Sequence, residues 1–187
     1  MNISQIKKTM IDKGIPPETI AQFVFPEFET DTPEEKIAFV KQMDGLLTRE
    51  QILAVMEEQG CSKNEHSAQV KARFEDKTLE ERIEILNTIC VEEAPDSKLN
   101  EDGTVSIFWE FRESGKFRCV CPIMSKLPQT TAVSITFCGC CSGHVKYHFE
   151  QDTGVKLRLV ETVSSPISSG GERRCEHRFE IVSCAAD

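Results

Sequence analysis

The chain has 187 residues, enough for one domain with a good core or for two small domains. Its formal net charge is −9 and its basic residues form no stripe, which argues against nucleic acid or an anionic membrane as the main partner. No apolar run suits a signal peptide or approaches the roughly 18 residues of a membrane span, so we expect a cytoplasmic protein without membrane association.

Residues 1–93 have the pattern of a helical region. Capping boxes begin at Thr48 and Thr78, and a further helix is expected from Pro33 to Asp44. Apolar residues recur every three to four positions, so each helix has one face to bury. This region is predicted to consist of about five short helices that carry no chemistry.

Residues 94–103 predict a linker or long turn, and after them the hydrophobic period changes to two, which is typical of β-strands. We expect a hairpin whose strands cover residues 105–111 and 117–121, with a tight turn at Ser114. A third strand is expected over residues 133–137.

A dense group of thiols follows that third strand. Cys138, Cys140 and Cys141 stand within four residues, which we call the CGCC segment, and a helix is predicted from there to Gly154. His144 falls in the first turn of this helix. The group could form part of a disulfide framework, a soft-metal site, or a nucleophile with a base nearby. An odd total of nine cysteines in a reducing compartment does not favour disulfides.

Two final strands are predicted over residues 155–163 and 174–183. Alternation places Glu161 on the apolar face of the first strand and places Cys175 and His177 on the apolar face of the second. Burying an unpaired carboxylate costs several kcal/mol, so the pattern calls for a metal, a cation or a hydrogen-bond donor nearby.

These elements predict an α+β fold. Its N-terminal helices would pack on an antiparallel sheet, with one further helix after the CGCC segment. Residues 104–187 would form a cysteine-rich α+β region, and we expect it to make one globular unit with the helices.

The stretch from Cys138 to Ile181 resembles the 4-vinyl reductase domain and its relatives, including the bacterial family named for L-2-amino-thiazoline-4-carboxylic acid hydrolase. The resemblance lies in the CxCCxGH motif, in the acidic residue Glu161, and in the GGxxxC motif that ends at Cys175. It covers about 45 residues, and the helical half is not distinctive.

The resemblance implies a small-molecule pocket between helices and sheet, and a structural zinc ion held by cysteines and a glutamate. Carried over, the glutamate falls on Glu161, the late cysteine on Cys175, and the early cysteine on one thiol of the CGCC segment. The family pattern has another cysteine three residues after the glutamate, where this chain has Ser164. The fourth zinc ligand would then be His177, His144 or a second CGCC thiol.

We therefore expect a sensor-like module that binds a small apolar or amphipathic molecule, forms a homodimer, and carries a Cys/Glu/His zinc site. The candidate metal ligands are Cys138, Cys140, Cys141, Glu161, Cys175 and His177.

The competing prediction is a cysteine-dependent hydrolase acting on a small C–N substrate. Cys140 or Cys141 would be the nucleophile, His144 the base, and Glu161 the group that orients it. A third class, an iron–sulfur or redox protein, ranks last because the sequence lacks the spaced CxxC runs of cluster sites.

Overall fold

The computed structural model describes residues 1–30, 32–60, 74, 76–89, 96–128, 131 and 133–183. Within these ranges, helices pack against an antiparallel sheet, so the predicted α+β class is confirmed. The α-helices are α1 (Ile3–Asp12), α2 (Pro17–Ile20), α3 (Pro33–Leu46), α4 (Arg49–Met56), α5 (Leu79–Ile89), α6 (Gly139–Thr153) and α7 (Pro166–Ser169). The strands are β1 (Ser97–Leu99), β2 (Thr104–Trp109), β3 (Arg112–Glu113), β4 (Lys116–Phe117), β5 (Lys156–Ser164) and β6 (Cys175–Ser183).

Local signals fix the starts of several helices. The Thr48 side chain accepts a hydrogen bond from the Gln51 backbone N–H at 3.2 Å, and the Gln51 Oε1 accepts one from the Thr48 backbone N–H at 2.9 Å. Thr78 and Glu81 exchange the same pair of bonds. Both predicted capping boxes are therefore present, and each satisfies backbone donors that the helix leaves unpaired.

The main sheet has the strand order β1-β2-β6-β5 and is antiparallel throughout. Strand β1 lies within residues 94–103, which were expected to be a linker. The register places Ile107 of β2 opposite His177 of β6, and Trp109 opposite Cys175. The last long strand therefore lies in the middle of the sheet, with β5 at one edge.

The predicted hairpin is only partly correct. The turn is present, with positive φ at Ser114 and Gly115, but it joins the two-residue strands β3 and β4. Strand β2 pairs with β1 and β6 instead of residues 117–121. Periodicity indicates which residues are extended, but it does not indicate which strands pair. Strand β2 pairs with β6 over six residues, more than the two residues over which β3 pairs with β4.

The strand expected over residues 133–137 is also wrong. Residues Ile135–Cys138 form a 3₁₀ turn that leads directly into α6. The Ser134 hydroxyl accepts a hydrogen bond from the Thr136 N–H at 3.2 Å and so starts the helical turn. The alternating apolar residues that suggested a strand belong instead to this short turn.

Three groups of buried apolar side chains meet around α6. Val145 and Phe149 of α6 pack with the inner face of the sheet. Cys140 packs with the core of α1, α3 and α4, whereas Cys138 belongs to a third cluster beside Cys119. The CGCC segment consequently lies where the helical layer, the sheet and the connecting loops come together. No described helix is both long enough and apolar enough to cross a membrane.

Candidate metal and ligand site

The fold gathers cysteine thiols from distant parts of the sequence. Six described cysteines are present as thiols and not as disulfides. They come from the loop after β4, the 3₁₀ turn before α6, the first turn of α6 and the start of β6. These residues are Cys119, Cys121, Cys138, Cys140, Cys141 and Cys175.

Negative charge on neighbouring thiols reinforces the raised pKa of Cys138 and Cys175. Burial raises the pKa of Cys175, and negative charge at Cys138, Cys119 or Cys121 raises it further. Burial also raises the pKa of Cys138 to about 12, a shift that the Ser165 hydrogen bond opposes and charge at Cys119 and Cys121 reinforces. Cys119 and Cys138 also pack in one apolar cluster, with Cys121 against it. We call Cys119, Cys121, Cys138 and Cys175 the thiol quartet.

Burial favours the protonated form of Cys119, Cys138, Cys141 and Cys175 at neutral pH. The pKa of Cys119 rises to about 11 because it is buried, although the Cys121 backbone N–H opposes the shift. Cys141 also has a raised pKa, from burial and then from the neighbouring thiols, of which Cys140 contributes most. A cysteine nucleophile needs a lowered pKa, so these surroundings do not favour the hydrolase prediction.

His177 faces inward, as the alternation predicted, and is fully buried. Its Nδ1 lies 2.6 Å from the Ser142 Oγ, which in turn lies 2.8 Å from the Thr162 Oγ1. Burial lowers the pKa of His177 to about 3, so the imidazole is neutral. Its Nε2 has no hydrogen-bond partner among the described residues.

Glu161 is not buried among the apolar residues of the inner face as predicted; its side chain is 36 % exposed. Leu159 lies opposite Phe179 while Glu161 lies opposite Arg178, so the intervening residue forms a β-bulge that reverses the alternation. The Glu161 carboxylate pairs with Arg49 at 3.1 Å and with Arg178 at 3.6 Å. Thr162 takes the place opposite His177 instead.

A pocket of about 470 Å³ opens onto the CGCC segment, and we call it the thiol pocket. The indole ring of Trp109 and the imidazole ring of His144 form part of its wall, with centroids 5.2 Å apart. Its described lining is Met1, Asn2, Gly60, Trp109, Val120, Cys121, Pro122, Ile123, Lys126, Cys140, Cys141 and His144. The structure thus brings all three residues of the hydrolase prediction to one pocket, without Glu161.

A second cavity of about 460 Å³ lies between the helical layer and the sheet, and we call it the interlayer cleft. Side chains of α3, α4, the 3₁₀ turn and β5 line it. The apolar lining is Leu47, Ile52, Leu53, Met56, Ile135 and Leu159, and the polar lining is Asp44, Arg49, Thr136, Glu161 and Thr162. Such a mixture suits a small molecule with an apolar body and one polar end.

Within the described part of the chain, no three or more Cys, His, Asp or Glu side chains are already arranged to hold a metal ion. Cys138 and Cys175 of the predicted ligand set belong to the thiol quartet, whereas Glu161 forms ion pairs with arginines. Cys140 and Cys141 line the thiol pocket.

Sequence reasoning missed two hydroxyl groups of this region and gave two thiols no definite role. Ser142 bonds to the His177 imidazole and Thr162 bonds to Ser142, and no local motif marks either of them. Cys119 and Cys121 could have been assigned from their C-x-C spacing, because alternate residues of an extended segment direct their side chains the same way.

Comparison of the chain with protein-family models, with curated proteins and with solved structures finds no match. The functional conclusions therefore rest on the residues of the site.

Proposed function

We propose that this protein is a sensor-like module that binds a small molecule and is stabilised by a zinc ion at the thiol quartet. The observation that supports the proposal is the gathering of four thiols, three of them buried, from three distant segments. Free cysteine behaves as a small hydrophobic residue, but four neighbouring thiols gain nothing in packing over alanine and carry a risk of oxidation. A shared metal ion explains why they occur together.

The donor chemistry of the quartet fits zinc. Four cysteine thiolates are a common tetrahedral ligand set for structural zinc, and the ion would supply the positive charge that lets buried thiols ionise. The segment from Cys119 to Cys121 contributes two donors, and Cys138 and Cys175 contribute one each. Cys141 is the alternative fourth donor, because its pKa responds to charge at Cys121, Cys138 and Cys175.

Zinc at the quartet would have a structural consequence. It would join the loop after β4 to the start of α6 and the start of β6. Metal binding of this kind contributes directly to folding stability, since the unfolded chain has no preformed site.

The interlayer cleft supports the small-molecule part of the proposal. Its volume falls within the range of about 300–1,000 Å³ that is typical of ligand pockets, and apolar side chains form most of its wall. Arg49, which is paired with Glu161 at 3.1 Å, is exposed at its rim, so we propose an apolar or amphipathic ligand whose polar end approaches Arg49.

A cysteine-dependent hydrolase is the second candidate. Cys141 and His144 line the same pocket, which favours it. Two observations oppose it: the raised pKa of Cys141, and the engagement of Glu161 by Arg49 and Arg178. Rapid alkylation of one thiol by iodoacetamide, with slow labelling of the others, would move this candidate to first place.

Elemental analysis by inductively coupled plasma mass spectrometry tests the zinc site. We expect near-stoichiometric zinc in protein purified without chelators. The change Cys175→Ser should lower both the metal content and the thermal midpoint, because it removes a thiolate donor and leaves a polar group in a buried position. Glu161→Gln is the matched control and should retain zinc. Metal-free wild-type protein, or full zinc in Cys175→Ser, would refute the proposed site.

The cleft is tested with 1-anilinonaphthalene-8-sulfonate, an apolar fluorophore that carries one anionic group. We expect binding that weakens by about fivefold in Arg49→Glu, because one exposed ion pair is worth up to ~1 kcal/mol. Lys41→Glu, which makes the same charge change on an exposed position of α3, should bind as the wild type does. Equal weakening in both variants would indicate a general effect of charge and not binding in the cleft.

A further inference from the structure

We propose that the ligand of the interlayer cleft ends in a hydrogen-bond acceptor, a carbonyl or carboxylate oxygen, which accepts the hydroxyl proton of Thr162. The inference rests on the ligand-binding part of the proposed function and adds the chemical class of the ligand. It follows from a chain of three polar side chains, His177, Ser142 and Thr162, that leaves a proton donor at the wall of the cleft.

This polar chain runs from the middle of the sheet to the cleft. The Nδ1 atom of His177 lies 2.6 Å from the Ser142 Oγ, and that oxygen lies 2.8 Å from the Thr162 Oγ1. His177 and Ser142 are both fully buried. Thr162 is half-buried and lines the interlayer cleft, so it is the member of the chain that a ligand in the cleft can reach.

The His177 ring sets the direction of these hydrogen bonds, because only one of its nitrogen atoms has a partner. Its Nε2 has no hydrogen-bond partner among the described residues. Buried N–H groups without an acceptor are rarer in proteins than incompletely paired acceptors, and a charged ring would add the cost of a buried charge. The favoured form is therefore the neutral tautomer with its proton on Nδ1, which donates to the Ser142 Oγ.

Ser142 passes this direction on to Thr162. Because the Ser142 Oγ accepts from His177, its own proton has two acceptors in reach, the Thr162 Oγ1 at 2.8 Å and the Cys138 carbonyl oxygen at 3.5 Å. The shorter contact has the better hydrogen-bond geometry, so the Ser142 proton goes to Thr162. The Thr162 oxygen then accepts, and its own proton remains for a ligand in the cleft.

The other hydroxyl of the cleft wall has its proton engaged. Thr136 donates to the Asp44 carboxylate at 2.6 Å. Arg49 and Glu161 pair with each other at 3.1 Å, so the charges beside Thr162 already have partners. The hydroxyl proton of Thr162 is then the donor that a ligand must satisfy, and a carbonyl or carboxylate oxygen does so when an apolar body fills the cleft.

Two probes of the same shape test this ligand class. The carbonyl oxygen of 2-acetylnaphthalene is an acceptor, and in 2-isopropenylnaphthalene a CH2 group replaces that oxygen. Each probe is titrated into full-length protein that carries 1-anilinonaphthalene-8-sulfonate, and displacement of the fluorophore gives its dissociation constant. The quantity compared between variants is the ratio of the two constants, because apolar contacts common to both probes cancel in it.

Variants of two threonines locate the donor. In Thr162→Val, which removes the hydroxyl and nearly keeps the shape, the ratio should shift by about fivefold against the ketone, the loss expected for one neutral hydrogen bond. Thr162→Ser keeps the hydroxyl and should retain the wild-type ratio. Thr136→Val is the matched control, because the proton it removes is already held by Asp44, and it should leave the ratio unchanged.

Nitrogen-15 NMR of the wild-type protein tests the direction of the hydrogen bonds without any variant. We expect the His177 signals at neutral pH to show a protonated Nδ1 and a non-protonated Nε2. The reverse tautomer would overturn the proposal, because Ser142 would then donate to His177 and Thr162 would donate inward to Ser142. This measurement decides the test if Thr162→Val does not fold.

The remaining outcomes separate this inference from the proposed function. An unchanged ratio in Thr162→Val, while both probes still displace the fluorophore, would overturn the inference and leave the cleft as a binding site. Equal shifts in Thr162→Val and Thr136→Val would also overturn it, since they would reflect a general loss of polarity. Failure of the fluorophore to bind would refute the cleft itself and the inference with it.

Discussion

At the residue scale, the charge of Lys36 is buried and needs a partner inside the fold. Its side chain is fully buried in α3 and pairs with the Glu29 carboxylate. Glu29 also accepts hydrogen bonds from the backbone N–H groups of Ile3 at 2.6 Å and Ser4 at 3.2 Å. One carboxylate therefore neutralises a buried amine and caps the first turn of α1.

Replacing Glu29 by glutamine separates these two roles. The amide oxygen can still accept from the Ile3 N–H, but Lys36 loses its closest anion. We expect a loss of about 2 kcal/mol in the free energy of unfolding, less than the roughly 3–5 kcal/mol of a fully broken buried pair, because Glu35 remains 3.6 Å from Lys36. Urea denaturation measures the difference. A stability equal to wild type would show that Lys36 does not depend on the charge of Glu29.

The same carboxylate predicts a pH dependence. Burial would raise the pKa of Glu29, but the Lys36 hydrogen bond and the Ile3 and Ser4 N–H groups outweigh it and hold the pKa below 4.5. A lowered pKa in the folded state gives stability that is present above about pH 4.5 and is lost as pH falls through the folded value. The stability gap between wild type and Glu29→Gln should therefore shrink below about pH 4.5. A gap that stays constant would argue against the charge pairing.

At the element scale, two glycines let α4 approach α6. A Cβ atom on Gly143 would lie 1.8 Å from the Gln59 carbonyl oxygen, and one on Gly139 would lie 2.6 Å from the Met56 Cβ. These glycines of the CGCC region are thus explained by helix packing, with no catalytic role required. They set how closely the helical layer approaches the helix that begins at the thiols.

Alanine at Gly143 should consequently be destabilising by about 3 kcal/mol or more, because the clash is with backbone that cannot rotate away. Gly45 provides the matched control, since it lies within α3 with nothing within 4 Å of its added Cβ. Gly45→Ala should stabilise by up to about 1 kcal/mol through helix propensity. Thermal or urea unfolding of both variants checks the pair, and equal effects would contradict the packing argument.

The elements also show which parts of the fold can be predicted from sequence. Capping boxes at Thr48 and Thr78 depend on residues three positions apart, so local pattern is sufficient. The partner of β2 and the bulge before Glu161 depend on β6, far along the chain. Alternation placed His177 and Cys175 on the inner face correctly because β6 is regular there, and it failed for Glu161 because β5 is not.

At the scale of the whole molecule, the sequence predicted where the candidate site lies but not every residue that forms it. The density of cysteines marked the CGCC segment, and Cys138 and Cys175 do fall in the thiol quartet. The C-x-C spacing pairs Cys119 with Cys121, but their position beside Cys138 depends on the tertiary packing of the loop after β4. Residue types thus indicate the chemistry of a site, whereas the fold decides which residues belong to it.

The position of α6, with residues in or beside all three apolar clusters, has a consequence for how the chain unfolds. Cys140 belongs to the cluster of the N-terminal helices, and Val145 and Phe149 belong to that of the sheet. If α6 unfolds, both the N-terminal helices and the sheet lose packing contacts. We therefore expect one cooperative unfolding transition, in which the amide hydrogens of α1 and β6 are protected from exchange to a similar degree. Hydrogen exchange followed by mass spectrometry measures this, and early exchange of α1 alone would show two independent units. Because zinc would anchor the start of α6, removal of a single ion would then lower the protection of helices that contribute no ligand to it.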